Sequence, residues 1–121
     1  MKTLPELVGD FQPETALVLG SGLGGLTDEI DVHIRAPYVE LRGFPESSVS
    51  GHSAEFIAGH LGGHKIAVLS GRVHYYESGD AAAMRGPIEA LQAIGVKRLI
   101  LTNSAGSVSR DMTPGSIMQI K

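Results

Sequence analysis

The chain contains no cysteine. Disulfides and thiolate metal sites are thereby excluded, and the composition suits a reducing, cytoplasmic setting. No stretch comes near the roughly 20 consecutive apolar residues of a membrane-spanning helix. The opening MKTLPELVGDFQPET has no apolar run of signal-peptide length. The expectation is therefore a cytoplasmic protein with no membrane partner. An excess of positive charge is lacking too: the formal net charge is −3 and the basic residues are scattered, so no nucleic-acid partner is expected. Internal repeats, low-complexity tracts and linkers are also missing.

What is present suits one folded unit. With 121 residues, 42% hydrophobic and 19% charged, the chain can bury enough apolar surface to offset its conformational entropy. Glycine is abundant, at 16 residues, and clusters in segments 20–25, 51–63, 71–79 and 103–107. Glycine permits close approach of backbone to a ligand. The clusters therefore point either to shaped binding loops or to plain tight turns between strands.

Residues 16–19 (Ala-Leu-Val-Leu) are expected as a buried strand that ends in the first glycine loop. A helix beginning near Leu23 is weakened by Gly24 and Gly25. Residues 28–38, with β-branched Ile30, Val32 and Ile34, read as a poor helix, and residues 38–41 as strand. Residues 55–61 and 65–69 read as a hairpin around Gly62-Gly63-His64. From 80 to 94 the pattern is helical, with Asp80 as N-cap, Pro87 as a kink or restart, and Gly95 closing the helix. Residues 99–102 form another buried strand, followed by a small-residue loop at 103–107. After the Pro114-Gly115 turn, residues 117–120 are expected to begin one more strand. Strands interleaved with a helix imply an α/β fold with some parallel pairing, in which ligands collect at the carboxyl ends of strands. Loops 20–25, 70–79 and 103–107 are expected to share that edge.

Gly20, Gly22 and Gly25 have the GxGxxG spacing of a dinucleotide fingerprint, with Glu40 downstream as the ribose-binding acid. That reading needs a full helix and a return strand before Glu40, where the helical pattern is poor. The better reading is an anion nest, with successive backbone N–H groups and the Ser21 hydroxyl facing a phosphate; a structural turn is the bland alternative. In Gly71-Arg72-Val73-His74-Tyr75-Tyr76-Glu77, residues two apart on an extended segment face one side, so Arg72, His74 and Tyr76 are expected to line one surface. A guanidinium binds phosphate oxygens bidentately, and a bound anion favours the charged imidazole. Singly, each of these side chains is as well explained as a solvated charge or a core aromatic. Asn103-Ser104-Ala105-Gly106 allows close backbone approach, or is simply a tight turn. His52, His60 and His64 invite a metal, but no carboxylate lies at ligand spacing, and His60 and His64 read as surface turn residues. No metal and no cofactor are expected.

Taken together, the segments resemble the trimeric class of purine nucleoside phosphorylases, with methylthioadenosine phosphorylase as a near neighbour. The matching residues are Leu19-Gly20-Ser21-Gly22-Leu23-Gly24, Gly43-Phe44-Pro45 with Ser47-Ser48-Val49 and Gly51-His52, Gly71 through Glu77, Gly95-Val96 before Thr102-Asn103, and Pro114-Gly115 with Ile117-Met118. They occur in family order and spacing from about Thr15 onward. The resemblance implies an α/β fold, a phosphorylase-type mixed sheet flanked by helices. Residues 1–121 would form the N-terminal part of a single nucleoside phosphorylase domain, truncated after its first half. It implies phosphorolysis of purine nucleosides such as inosine and guanosine to free purine and ribose 1-phosphate, with inorganic phosphate as co-substrate, and a homo-oligomer, a trimer in full-length members. By the same resemblance Ser21, His52, Arg72, Val73, His74 and Ser104 bind phosphate, Tyr76 touches the ribose, and Glu77 orients a histidine; His74 and Glu77 are the catalytic pair. The sequence departs from the family at Ser78-Gly79-Asp80, where Gly-Tyr-Pro is usual, and at Ser104, Ser107 and Ser116. The family's base-reading residues lie beyond Lys121. A non-catalytic fragment or pseudoenzyme of the same fold, and a dinucleotide-dependent oxidoreductase, are the alternative readings.

Overall fold

A computed structural model describes residues 1–46 and 54–121. The first element is a short helix, α1 (Leu4–Val8). Thr3 and Glu6 cap it reciprocally: the Thr3 N–H donates to Glu6 Oε2 (2.8 Å) and the Glu6 N–H to Thr3 Oγ1 (3.4 Å). The bond from the Thr3 backbone, then that from its hydroxyl, holds the Glu6 carboxyl below its ordinary range. Leu4 and Val8, four apart, turn the same face to the core. Strand β1 (Thr15–Leu19) forms where expected. Gly24–Glu29 then winds as a 3₁₀ turn rather than an α-helix. Two glycines open it, and the Thr27 hydroxyl donates to the Gly24 carbonyl (2.8 Å), which suits the tighter winding.

The poor helix after it is strand β2 (Asp31–Pro37), whose β-branched residues suit a pleated surface. The strand expected over 38–41 is instead a single 3₁₀ turn, Tyr38–Glu40. Pro37 cannot donate to a ladder, and the Tyr38 ring turns into the core, where the residue is 2% exposed. Strands β3 (Glu55–Leu61) and β4 (His64–Ser70) make the expected hairpin across Gly62-Gly63. One helical turn, α2 (Tyr75–Ser78), precedes helix α3 (Arg85–Ala93). Helix α3 starts later than Asp80. A helix running through from Asp80 would need the Pro87 nitrogen as a donor; starting at Arg85 puts Pro87 in the first turn, where no N–H is required. Asp80 caps the preceding turn, its Oδ1 accepting from the Ala82 N–H (2.8 Å). The helix closes with the Gly95 N–H on the Gln92 carbonyl (3.1 Å) and the Val96 N–H on the Leu91 carbonyl (3.2 Å). Strand β5 (Arg98–Leu101) follows. Residues 117–120 form no strand: Ile117 and Ile120 are 97% and 80% exposed, and an apolar run becomes strand only against a partner edge.

The five strands form one mixed sheet in the order β2-β3-β4-β1-β5. Strands β4, β1 and β5 run parallel, whereas β2 and β3 are antiparallel additions. Side-chain alternation divides the core. Ala16, Val18, Phe56, Ala58, Ala67 and Leu69 face one side, where α1 (Leu4, Val8), α3 (Leu91) and Ile94 just after it cover them. Leu19, Ile57, Ile66 and Val68 face the other, against Ile30 and Leu26. The expected mixed α/β sheet flanked by helices is thus what the chain builds. Leu91, the one leucine of α3, is 2% exposed. Leu91→Ala is expected to cost about 2–5 kcal/mol in denaturant unfolding.

Candidate functional site

The register of the parallel triplet sets the site. Leu19 pairs with Ser70 of β4, and Val18 with Leu101 of β5, so the three strands end level with one another. Their carboxyl ends release the segments beginning at Gly20, Gly71 and Thr102 along a single edge, as expected for a ligand-binding α/β sheet. A cleft of about 1000 Å³ opens there, lined by Ser21, Gly22, Asp28, Glu55, Arg72, His74, Tyr76 and Glu77.

The seam between the first and third loops is tight. The Gly20 N–H donates to Thr102 Oγ1 (3.1 Å), and that hydroxyl donates to the Val18 carbonyl (2.9 Å). A Cβ on Gly20 would lie 2.6 Å from the Thr102 carbonyl oxygen and 2.7 Å from Asn103 Cα. The first glycine of the loop therefore serves strand packing, and its N–H is spent on Thr102. The N–H groups of Ser21 and Gly22 donate to no protein acceptor among the described residues. They are therefore able to face an anion.

Arg72 enters the cleft from the end of β4. Its Nε is buried and has no hydrogen-bond partner among the described residues. A buried guanidinium N–H without an acceptor is unfavourable, so an arginine held this way is poised for an anionic oxygen. The backbone does not stay extended through Tyr76 as the alternating pattern suggested. It turns at His74, because the Glu77 carboxylate accepts from the His74 main-chain N–H (3.0 Å) and the Glu77 N–H donates back to the His74 carbonyl (3.0 Å). Arg72, His74 and Tyr76 nevertheless line one cleft. The His74 and Tyr76 rings stack at 5.0 Å with 7° between planes, and Tyr76 is 81% exposed. Glu77, expected to orient a histidine, thus bonds to the main chain of one.

Other expected contacts lie elsewhere. Val73 and Ser104 are not among the cleft-lining residues; Ser104 is exposed, with its carbonyl accepting from Asn103 Nδ2 (3.1 Å). His52 lies outside the described residues. His60 packs edge-on against Phe11, at 5.6 Å between centroids, and His64 is exposed. Among the described residues no three His, Cys, Asp or Glu side chains cluster as metal ligands. Sequence reasoning missed Asp28 and Glu55. Glu55 faces Ser70 in the β3–β4 register and accepts from Arg35 Nη1 (2.9 Å). Counting the hairpin back from Gly62-Gly63 would have placed it at the cleft. Asp28 carried no such signal.

The dinucleotide alternative fails on topology. The strand following the glycine loop, β2, is antiparallel and lies at the far edge of the sheet, whereas a dinucleotide unit needs a helix and a parallel return strand.

Residues 14–121 match the family model of the phosphorylase superfamily. The chain belongs to that superfamily. It is similar to purine nucleoside phosphorylase 1 of Geobacillus stearothermophilus, 43% identical over 108 residues, which cover 89% of this chain and 39% of the relative. It is also similar to a crystal structure of purine nucleoside phosphorylase in complex with ribose-1-phosphate, with a TM-score of 0.81 and 37% identity over 93% of this chain and 41% of that one. The Schistosoma mansoni enzyme in complex with inosine gives a TM-score of 0.79 and 36% identity, over 93% of this chain and 38% of that one. The chain thus spans about two fifths of the length of the relatives it matches. The family is the one the ordered motifs resemble, and the superfamily fold explains why three strand ends converge. Because the seam at Gly20 has no room for a side chain, Gly20→Ala is expected to cost about 1–3 kcal/mol in denaturant unfolding.

Proposed function

We propose that the complete gene product is a purine nucleoside phosphorylase and that this chain supplies its phosphate-binding part. Inorganic phosphate attacks the anomeric carbon of a purine nucleoside such as inosine or guanosine. The glycosidic C–N bond breaks, the purine leaves with the bonding pair and takes up a proton, and ribose 1-phosphate is the second product. Arg72, which lines the strand-end cleft with a buried Nε that has no hydrogen-bond partner among the described residues, carries this reading. The similarity to proteins named purine nucleoside phosphorylase, one of them solved with ribose-1-phosphate and another with inosine, supports it.

The residues suit the chemistry. Cleavage develops positive charge on the sugar, and an anion fixed beneath the ring both attacks and stabilises that charge. Arg72 offers a rigid donor fork, Ser21 a hydroxyl and a backbone N–H, and Gly22 a further N–H. His74 supplies a ring donor beside them, and the exposed Tyr76 ring stands at the mouth, where a ribose would rest. The family resemblance adds His52, Val73 and the Ser104 N–H as phosphate contacts, although Val73 and Ser104 do not line the cleft in this structure, and Glu77 keeps its proposed catalytic role by holding His74 in place. No cofactor enters this reaction. We place residues 1–121 as the N-terminal part of a single nucleoside phosphorylase domain, acting as a trimer in the cytoplasm.

The test is phosphate-dependent release of hypoxanthine from inosine by the complete protein. Arg72→Ala is expected to lower kcat/KM for phosphate by about 10²–10³-fold. Unchanged phosphate dependence in that variant would remove Arg72 from the site, and no phosphorolysis by the unsubstituted protein would overturn the function.

A further inference from the structure

Tyr38 is not a cleft-lining residue, yet it touches the arm that carries Arg72. Its phenol donates to the Gly71 carbonyl at 2.7 Å. Strand β4 ends at Ser70, so the Gly71 carbonyl lies beyond the last β3–β4 ladder pair. A part-buried carbonyl in that position needs a donor, and the phenol provides it. Gly71 is the single residue between the strand and Arg72. Its φ is +130°, in the region that favours glycine, and a Cβ there would lie 2.7 Å from Ala54 Cβ. The peptide that aims Arg72 is therefore held between Ala54 on one side and the Tyr38 hydroxyl on the other.

The phenol itself is fixed independently of the cleft. Tyr38 is 2% exposed, its ring packs edge-to-face on Phe44 at 4.9 Å, and its N–H donates to the Ala54 carbonyl at 2.9 Å. Burial pushes the phenol above its ordinary range, so it stays a donor through neutral and mildly alkaline pH. A buried ring thus delivers one hydrogen bond to the glycine that precedes the proposed phosphate-binding arginine. Supporting bonds of this kind fix the productive geometry of a site.

We propose that Tyr38 is a positioning residue for phosphate: by holding the Gly71 carbonyl it sets the direction in which Arg72 enters the cleft. This rests on the phosphorolysis reading of the same cleft and deepens it. Tyr38 touches neither phosphate nor nucleoside; it acts through the Gly71–Arg72 peptide. Substitutions that release the peptide should therefore act on phosphate and leave the nucleoside alone.

Tyr38→Phe in the complete protein removes the hydroxyl and keeps the ring. Its KM for phosphate is expected to rise about tenfold, the effect of one lost hydrogen bond, while its KM for inosine stays unchanged. Ile66→Ala loosens the opposite apolar layer, at the start of β4, without touching the bond or the ring that makes it; it should lower Tm and leave the phosphate KM at its original value. If Tyr38→Phe does not fold, Gly71→Ala displaces the same peptide from the Ala54 side and should show the same split between the two KM values. An unchanged phosphate KM in the folded Tyr38→Phe protein, or an equal rise in both KM values, overturns the positioning role. Loss of phosphate dependence in the unsubstituted protein is a different result: it overturns the phosphorolysis reading and this inference with it.

Discussion

The parallel ladder that β1 shares with β4 on one side and β5 on the other determines where everything else falls. It pairs Leu19 with Ser70 and Val18 with Leu101, so three chain segments leave the sheet at one level. The Thr102 hydroxyl, donating to the Val18 carbonyl and accepting from the Gly20 N–H, locks two of those ends together beyond the last regular ladder pair. The glycine loop and the arginine arm face each other because the strands beneath them are in register. A slip of one residue would turn each strand's core side chains to the opposite face and break both apolar layers.

Charge in the cleft follows from how its acids are occupied. Asp28, Glu55 and Glu77 all line it, a surprising set for a place that would hold a phosphate dianion. Two of the three are engaged. Glu55 is paired with Arg35 at 2.9 Å, and Glu77 accepts from the His74 main-chain N–H. Neither carboxylate bonds the Arg72 Nε, which has no hydrogen-bond partner among the described residues. Glu77 has a second effect. By turning the chain at His74 it stacks the imidazole on Tyr76 and brings ring and guanidinium to the same cleft.

Much of this was legible in the residues, and what was not has a physical reason. The apolar run of β1, the hairpin about Gly62-Gly63 and the helical stripe ending at Gly95 are local signals, and each produced its element. The Thr3–Glu6 capping box was equally local but sits before a helix of only five residues, too short to show periodicity. The strand expected at 38–41 and the one expected at 117–120 failed for a shared reason: a strand is made by its partner. Tyr38 found Gly71 and a core pocket instead of a ladder, and the run from Ile117 found no edge. The alternation of Arg72, His74 and Tyr76 gave the right shared surface by the wrong backbone path, since a carboxylate four positions beyond Val73 ends the extended run. Glu55 at the cleft follows from hairpin register, which sequence supplies only once the turn residues are fixed.

The central claim is that phosphate sits in the strand-end cleft against the Arg72 guanidinium. The most direct measurement is an NMR titration of the isotope-labelled complete protein with inorganic phosphate, following the Arg72 Nε–H and the backbone amides of Ser21 and Gly22. Saturable shifts at all three, with one common Kd and no comparable change around Phe11 at the far end of the sheet, are the expected result. Shifts that leave the Arg72 Nε–H untouched, or that never saturate, would contradict it.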